Sequence, residues 1–343
     1  MISYPSIENF ATLYKTVANK TRTIKLEDGS FIINNDIPLP TISFVGTTKS
    51  HGSNASIVLL ENSDELIAQS RNRVLNLQHD NLGFCVYVQK NHNVFLNFMK
   101  YLSDLYSATD VVVYGEWCGG NIQKSVAISA LPRMFLIFGI KINQNENWFW
   151  LDNSKIQQLD NYEYISDLNA IGVHPITKFG IWTITIDFNS PKSVQSVIDD
   201  WVAEVDKQCP IGTYFGVVGH GEGMVFCNED GSLRFKGKGL SHSINKSKSE
   251  HITKIDPEVY QNMIDFVEDV LTESRLNQGL DYLTEMELEI DIKNTGKYLS
   301  WIVNDIFKEE SDAIVNNGFD AKKISRELST YARNWFMKQV NEV

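Results

Sequence analysis

Up to Lys238 the apolar residues fall in short runs of strand length, and beyond it they recur at helical spacing, so the chain reads as a β-rich body followed by helices. Strands are predicted over residues 39–46, 55–60, 67–73, 110–114, 134–142 and 180–186. A hairpin is expected of 222–226 with 233–238, turning at Asn228, Glu229, Asp230 and Gly231. Within the body, helices are predicted over 7–17 and 193–205, and over 93–105, where Val94, Phe95, Phe98, Met99, Leu102 and Leu105 share one face. The stretch 239–250, rich in serine and lysine, reads as a linker. After it come helical patterns at 257–271, 273–286, 295–309 and 321–340, with breaks near Gly279, Gly296 and Gly318 and with Asp320 as a cap. Two domains follow from this division, 1–245 and 246–343.

Composition narrows the class. The 343 residues are 43% hydrophobic and 22% charged, enough for a sizeable core. No apolar stretch approaches the length of a membrane span, and no secretory leader is evident at the N-terminus, so no membrane partner is expected. Cys85, Cys118, Cys209 and Cys227 are dispersed, with no paired-cysteine or histidine spacing for zinc, and read as reduced cysteines of an intracellular, cytoplasmic protein. The net charge of −12 argues against a generally basic nucleic-acid coat. The acidic excess is concentrated at the C-terminal end, where residues 251–343 hold 18 acidic and 10 basic residues. A polyanion would therefore lie mainly on the first part.

The candidate chemistry centres on Lys49, an isolated lysine in a short polar turn between two strand-like runs. A lysine nucleophile must shed its proton, and burial or nearby positive charge can lower its ordinary pKa of about 10.4. Lys236 and Lys238 share one face of a strand and are the candidate cations that converge on it. Arg71, in the polar end of the 67–73 run, offers a planar fork of donors for a sugar or phosphate. Glu116 is read as delivered by a buried strand into a glycine-rich turn, and Glu222, flanked by glycines, as standing at the mouth of the hairpin. The hairpin would bring a carboxylate and two ammonium groups together, a set able to hold a metal ion and a triphosphate. Trp148, Phe149 and Trp150 add aromatic bulk, of which one ring could stack on a base. Residues 1–38 show no recognisable chemistry. Each feature alone also fits a solvated basic face, a tight-turn carboxylate or a core aromatic.

In order, the pieces are Lys49-Ser50-His51-Gly52-Ser53-Asn54, Ser70-Arg71, Gly115-Glu116-Trp117 with Asn121-Ile122-Gln123, Glu222-Gly223-Met224-Val225 and Lys236-Gly237-Lys238. This sequence of motifs resembles the lysine nucleotidyltransferases, the ATP-dependent ligases and capping enzymes, and within them the RNA ligase 2 family of bacteriophages and trypanosome editing enzymes. The resemblance covers residues 40–250, and the helical tail also fits. It implies an α+β fold: a nucleotidyltransferase, ATP-grasp-like ligase domain of antiparallel sheets with flanking helices, then a small all-α C-terminal domain.

For function the resemblance implies an ATP-dependent RNA ligase that joins 3′-hydroxyl and 5′-phosphate RNA ends at nicks or bridged breaks, as a monomer, in RNA repair. For a phage-encoded enzyme the compartment is the infected host cytoplasm. Lys49 would take AMP from ATP as a covalent adenylate, with magnesium on the triphosphate. Arg71 and Glu116 would hold the ribose and Phe138 would stack on adenine. His51 and Asn54 would serve the adenylate and nucleic-acid phosphate, Glu222 the metal and nucleophile, and Lys236 and Lys238 the α-phosphate. Two positions depart from the family pattern: Gly139 replaces an aspartate after the stacking phenylalanine, and Thr48 replaces a charged residue before the lysine. The alternatives are a DNA ligase or capping enzyme, whose OB-fold would follow the last lysine motif as short strands, and a non-catalytic nucleic-acid-binding relative.

Overall fold

The computed structural model describes residues 1–122, 126–238, 257–310, 314 and 319–342, with the side chains of 238, 257–262, 265, 274 and 341–342 outside that description. The predicted linker at 239–250, the boundary expected between 245 and 246, Gln123 and Gly318 lie outside the described residues. The chain divides into two compact units, Met1–His242 and Ser243–Val343.

The first unit is built on two main sheets. Its strands, in chain order, are β1 Glu8–Asn9, β2 Thr23–Lys25, β3 Phe31–Ile33, β4 Thr41–Thr48, β5 Ser53–Leu59, β6 Leu66–Ser70, β7 Asp110–Cys118, β8 Met134–Gln144, β9 Asn147–Leu151, β10 Val173–Pro175, β11 Trp182–Asp187, β12 Gly223–Asn228 and β13 Arg234–Lys238. One sheet runs β1-β13-β12-β4-β11 and the other β10-β8-β7-β5-β6 with β9 beside β8, while β2 and β3 form a small ribbon. Most pairings are antiparallel; β1 with β13 and β10 with β8 are parallel. Because β4 belongs to one sheet and β5 to the other, the turn that holds Lys49 is where the chain crosses between them.

Alternation along the strands divides the unit into a packed side and a working side. In the five-stranded sheet Phe44, Met224, Phe226 and Phe235 turn one way and form a core with Val17, Ile198 and Val202 of the helices Phe10–Arg22 and Gln195–Lys207. The Phe226 and Phe235 rings stack at 4.7 Å between centroids. In the other sheet Ile57, Val111, Val113, Ile140 and Ile142 pack against Phe95, Phe98 and Leu102 of the helix His92–Tyr106. The opposite faces carry the candidate chemistry.

Several boundaries differ from expectation for local reasons. The helix expected over 7–17 starts later and runs on to Arg22, because Glu8 and Asn9 pair with β13 and the Asn9 side chain accepts from the Thr12 N–H at 2.8 Å. The strand expected over 67–73 ends at Ser70, whose hydroxyl accepts from the N–H groups of Asn72 and Arg73, so Arg71 and Arg73 lie in a turn. The strand expected over 110–114 continues to Cys118, which puts Glu116 inside β7 and not in a glycine-rich turn.

The second unit is helical, with helices Pro257–Val270, Glu273–Glu285, Thr295–Glu309 and Ala321–Glu342 among the described residues. The Asp320 side chain accepts from the N–H groups of Lys322 and Lys323 and caps the last of them. Gly279 does not break a helix, since it lies within Glu273–Glu285, whereas a break does fall just before Gly296, the second residue of Thr295–Glu309. Gly279 serves packing, because a Cβ there would come within 2.5 Å of the Tyr298 ring. The core is apolar, with Val267, Leu283, Ile302, Ile306, Leu328 and Phe336 buried together.

Candidate active site

Register places the basic residues in rows across the five-stranded sheet. Thr47 pairs with Val225 and Val225 with Lys236; Val45 pairs with Cys227 and Cys227 with Arg234. Lys49 continues the ladder by one residue, its N–H donating to the Gly223 carbonyl at 2.8 Å, and Gly223 pairs with Lys238. Lys49, Lys236, Lys238 and Arg234 therefore occupy positions on one face. The Lys238 side chain lies outside the described residues.

Across the gap, β5 and β7 bring Asn54 opposite Glu116. The turn between Lys49 and β5 lies so close to β7 that a Cβ on Gly52 would sit 2.5 Å from the Trp117 carbonyl oxygen. Only glycine fits there, and its N–H donates to the Glu116 carboxylate. Where the β7–β8 register shifts, Tyr114 pairs with Gly139 and Gly115 with Ile137, so Phe138 is the extra residue of a bulge in β8 and its side chain is half-buried.

The polar groups meet at Glu222. One of its carboxylate oxygens pairs with the Lys49 ammonium and the other lies 3.0 Å from His51 Nδ1. The Glu222 side chain is 8% exposed and that of Lys49 22%. A carboxylate so far out of water stays ionised only with such partners. Glu116 is close enough to feel the same charges. Burial pushes its carboxyl up to about 7, with Glu222 adding to the rise and Lys49, the Gly52 N–H and Arg71 opposing it. Arg71 also donates to the Ser6 hydroxyl at 3.4 Å.

The structure thus gathers Lys49, His51, Asn54, Glu116 and Glu222 around the crossover turn, with Arg71 at its edge and Lys236 one row away. One expectation needs correction. Lys236 and Lys238 are the cations expected to converge on Lys49, whereas its ammonium meets the Glu222 carboxylate, so it rests in an ion pair. Nor are the first residues chemically silent. Tyr114 donates through its hydroxyl to the Ile2 carbonyl, the Ile2 N–H donates to Gln69, and the Tyr4 ring lies 4.8 Å from Phe138, 5.2 Å from Tyr114 and 5.3 Å from Trp150. Sequence reasoning missed this segment and Arg234, and only the aromatic run at 148–150 hinted at it.

A divalent cation has two carboxylates to choose from, Glu222 and Glu116. Both oxygens of Glu222 already meet nitrogen donors, and no cluster of three or more metal-ligating side chains occurs among the described residues.

The family model described as RNA ligase matches residues 42–246. Among solved structures, an RNA ligase from Naegleria gruberi with pyrophosphate shares 17% identity, with a TM-score of 0.44 over 70% of this chain and 57% of that one. A variant of the same enzyme with ATP and manganese has the same identity, coverage and TM-score. The chain thus spans 57% of the length of those relatives. No curated protein matches. With more than half of its length, including every residue gathered at the crossover turn, inside the matched region, the chain belongs to the RNA ligase family.

Proposed function

We propose that this RNA ligase is ATP-dependent and joins a 3′-hydroxyl to a 5′-phosphate through an adenylate on Lys49. The observation that carries the reading is the ion pair of Lys49 with the buried Glu222 and His51 at the point where the chain crosses between two sheets, facing Glu116 and flanked by the lysine row of β13.

In the first step the Lys49 amine attacks the α-phosphorus of ATP. A P–N bond forms, the bond from the α-phosphorus to the bridging oxygen breaks, and pyrophosphate leaves with its electron pair. The amine must lose a proton beforehand, and Glu222, already in contact with Nζ, is placed to take it. His51 then steadies the carboxyl group. Lys236 and Lys238 are assigned to the charge that builds on the phosphoryl oxygens. Arg71 and Glu116 are assigned to the ribose, Phe138 to the adenine ring and Asn54 to the phosphate side. In the second step an oxygen of the RNA 5′-phosphate attacks the lysyl-AMP phosphorus and frees the lysine. In the third the 3′-hydroxyl attacks the activated 5′-phosphate and AMP leaves. Magnesium, held by the triphosphate with Glu222 or Glu116, would supply charge neutralisation when bound.

The two domains expected from the sequence are assigned to different tasks, residues 1–245 to nucleotide transfer and 246–343 to gripping the 3′-hydroxyl side of the break, acting within a monomer. The test is incubation with α-labelled ATP and magnesium followed by denaturing electrophoresis. Label should remain on the wild type and be absent from Lys49→Ala. An unlabelled wild type would favour a binding protein that has lost the chemistry, and label from GTP alone would favour a capping-type enzyme.

A further inference from the structure

The proposed steps leave Arg234, on the same face as the lysine row of β13, unused. It is 8% exposed and forms no ion pair among the described residues. Its guanidinium carbon lies 4.3 Å from the centroid of the Trp150 ring and 5.0 Å from that of Tyr4, two rings set at 82° to one another. These two contacts hold the donors in place. The Nε atom is buried and meets no hydrogen-bond acceptor. A buried N–H left unpaired costs about 1–3 kcal/mol, so its persistence calls for an acceptor that arrives with a ligand.

The two walls of the gap name that ligand. Along β13, Arg234 lies four residues from Lys238, about 14 Å at ~3.4 Å per residue. That is close to the length of a purine nucleoside monophosphate. On this wall the order from the crossover turn is Lys49 and Lys238, then Val225 and Lys236, then Cys227 and Arg234. On the facing wall it is Glu116, then Tyr114 with Phe138, then Lys141 with Trp150. A nucleotide with its phosphate at Lys49, ribose at Glu116 and base on Phe138 would point the outer edge of its base at Arg234. Tyr4 stands between, its ring tilted 66° to Phe138, and would meet that base edge-on. Gly139 completes the corner: a Cβ there would lie 3.0 Å from the Tyr4 ring, so no acidic side chain neutralises Arg234 from this position.

We propose that Arg234, held by Tyr4 and Trp150, is a specificity-determining residue that donates to a ring nitrogen on the edge of the purine of the nucleoside triphosphate. The proposal rests on the nucleotide-transfer reading above and adds the element that recognises the base. Tyr4 is its positioning residue. Burial pushes the phenol up to about 12, so its hydroxyl keeps its proton while accepting from Arg234.

The experiment measures Lys49 labelling with ATP and with three analogues, each lacking one acceptor nitrogen: 7-deaza-ATP, 3-deaza-ATP and 1-deaza-ATP. It is run on the wild type, Arg234→Met and Arg234→Lys, with melting temperature followed alongside. The wild type should show a KM about ten-fold or more higher for one analogue, the loss expected for a hydrogen bond from a charged donor, with kcat little changed. In Arg234→Met that analogue and ATP should have equal KM, because the two deletions remove the same interaction. Arg234→Lys, which keeps the charge but not the planar donor, should restore the melting temperature without restoring the discrimination. If the wild type treats all three analogues like ATP, or if the penalty persists unchanged in both variants, Arg234 only holds Tyr4 in place and the inference fails. Wild-type protein that takes no label from ATP would overturn the ligase reading and this inference with it.

Discussion

The two compact units bury different things. Buried polar or charged residues of the first unit include Ser50, His51, Gln69, Glu222 and Arg234, and all those identified among the described residues lie there. The core of the second holds aliphatic and aromatic side chains with one tyrosine, Tyr298, whose hydroxyl donates to the Leu276 carbonyl. In its main ion-pair cluster Arg275 bridges two carboxylates, those of Asp305 and Glu310. Burying a polar group without full compensation works against stability, so a fold that keeps several such groups at one turn retains them for another reason. The difference separates a unit shaped by chemistry from one shaped by packing.

That contrast can be broken experimentally, and the largest effect is expected at its centre. Glu222→Ala removes the partner of both Lys49 and His51 and should slow label formation by roughly 10²–10³-fold, the range for losing a general base or a key electrostatic group. Single-turnover labelling measures it, and a loss below about three-fold would show that the buried cluster is structural. Next in size, removing residues 246–343 should cut nick sealing by more than about ten-fold while Lys49 labelling stays within a few-fold, since the first unit has its own cores. Equal loss of both activities would mean that the units cannot be assigned separate tasks.

The smallest effect sharpens the comparison through pH. In the proposed role Glu116 accepts from a ribose hydroxyl most strongly when ionised, and burial pushes its carboxyl up to about 7. The KM for ATP should therefore rise as pH falls through about 7, by less than about ten-fold, and Glu116→Gln should flatten the profile. Stability should run the other way. A carboxyl whose folded pKa is raised binds more protons folded than unfolded, so its contribution is present below about 4.5 and is lost as pH rises through about 7. Melting temperature across that window, in wild type and Glu116→Gln, checks the sign.

Much of this arrangement was legible from local pattern. The runs at 39–46 and 55–60 bracket Lys49 as β4 and β5 do, the hairpin of β12 and β13 forms around the expected turn, and the tail is helical. What stayed hidden depends on contacts far apart in sequence. Nothing near Tyr4 signals that it will lie against Phe138 and Arg234, since an aromatic residue reads the same whether it fills a core or lines a site. The partner of Lys49 was misread for a similar reason. Strand alternation shows which face Lys236 occupies, but not that Glu222, 173 positions from Lys49, reaches its amine first. Glu116 was placed in a turn because its glycine neighbours suggested one, whereas pairing with β5 and β8 keeps the strand going.

The most direct measurement is intact-mass and peptide mapping of the protein after incubation with ATP and magnesium and no RNA. The account predicts one added AMP, carried by the peptide that contains Lys49 and released by pyrophosphate. An unmodified chain, or AMP on any other residue, would contradict it.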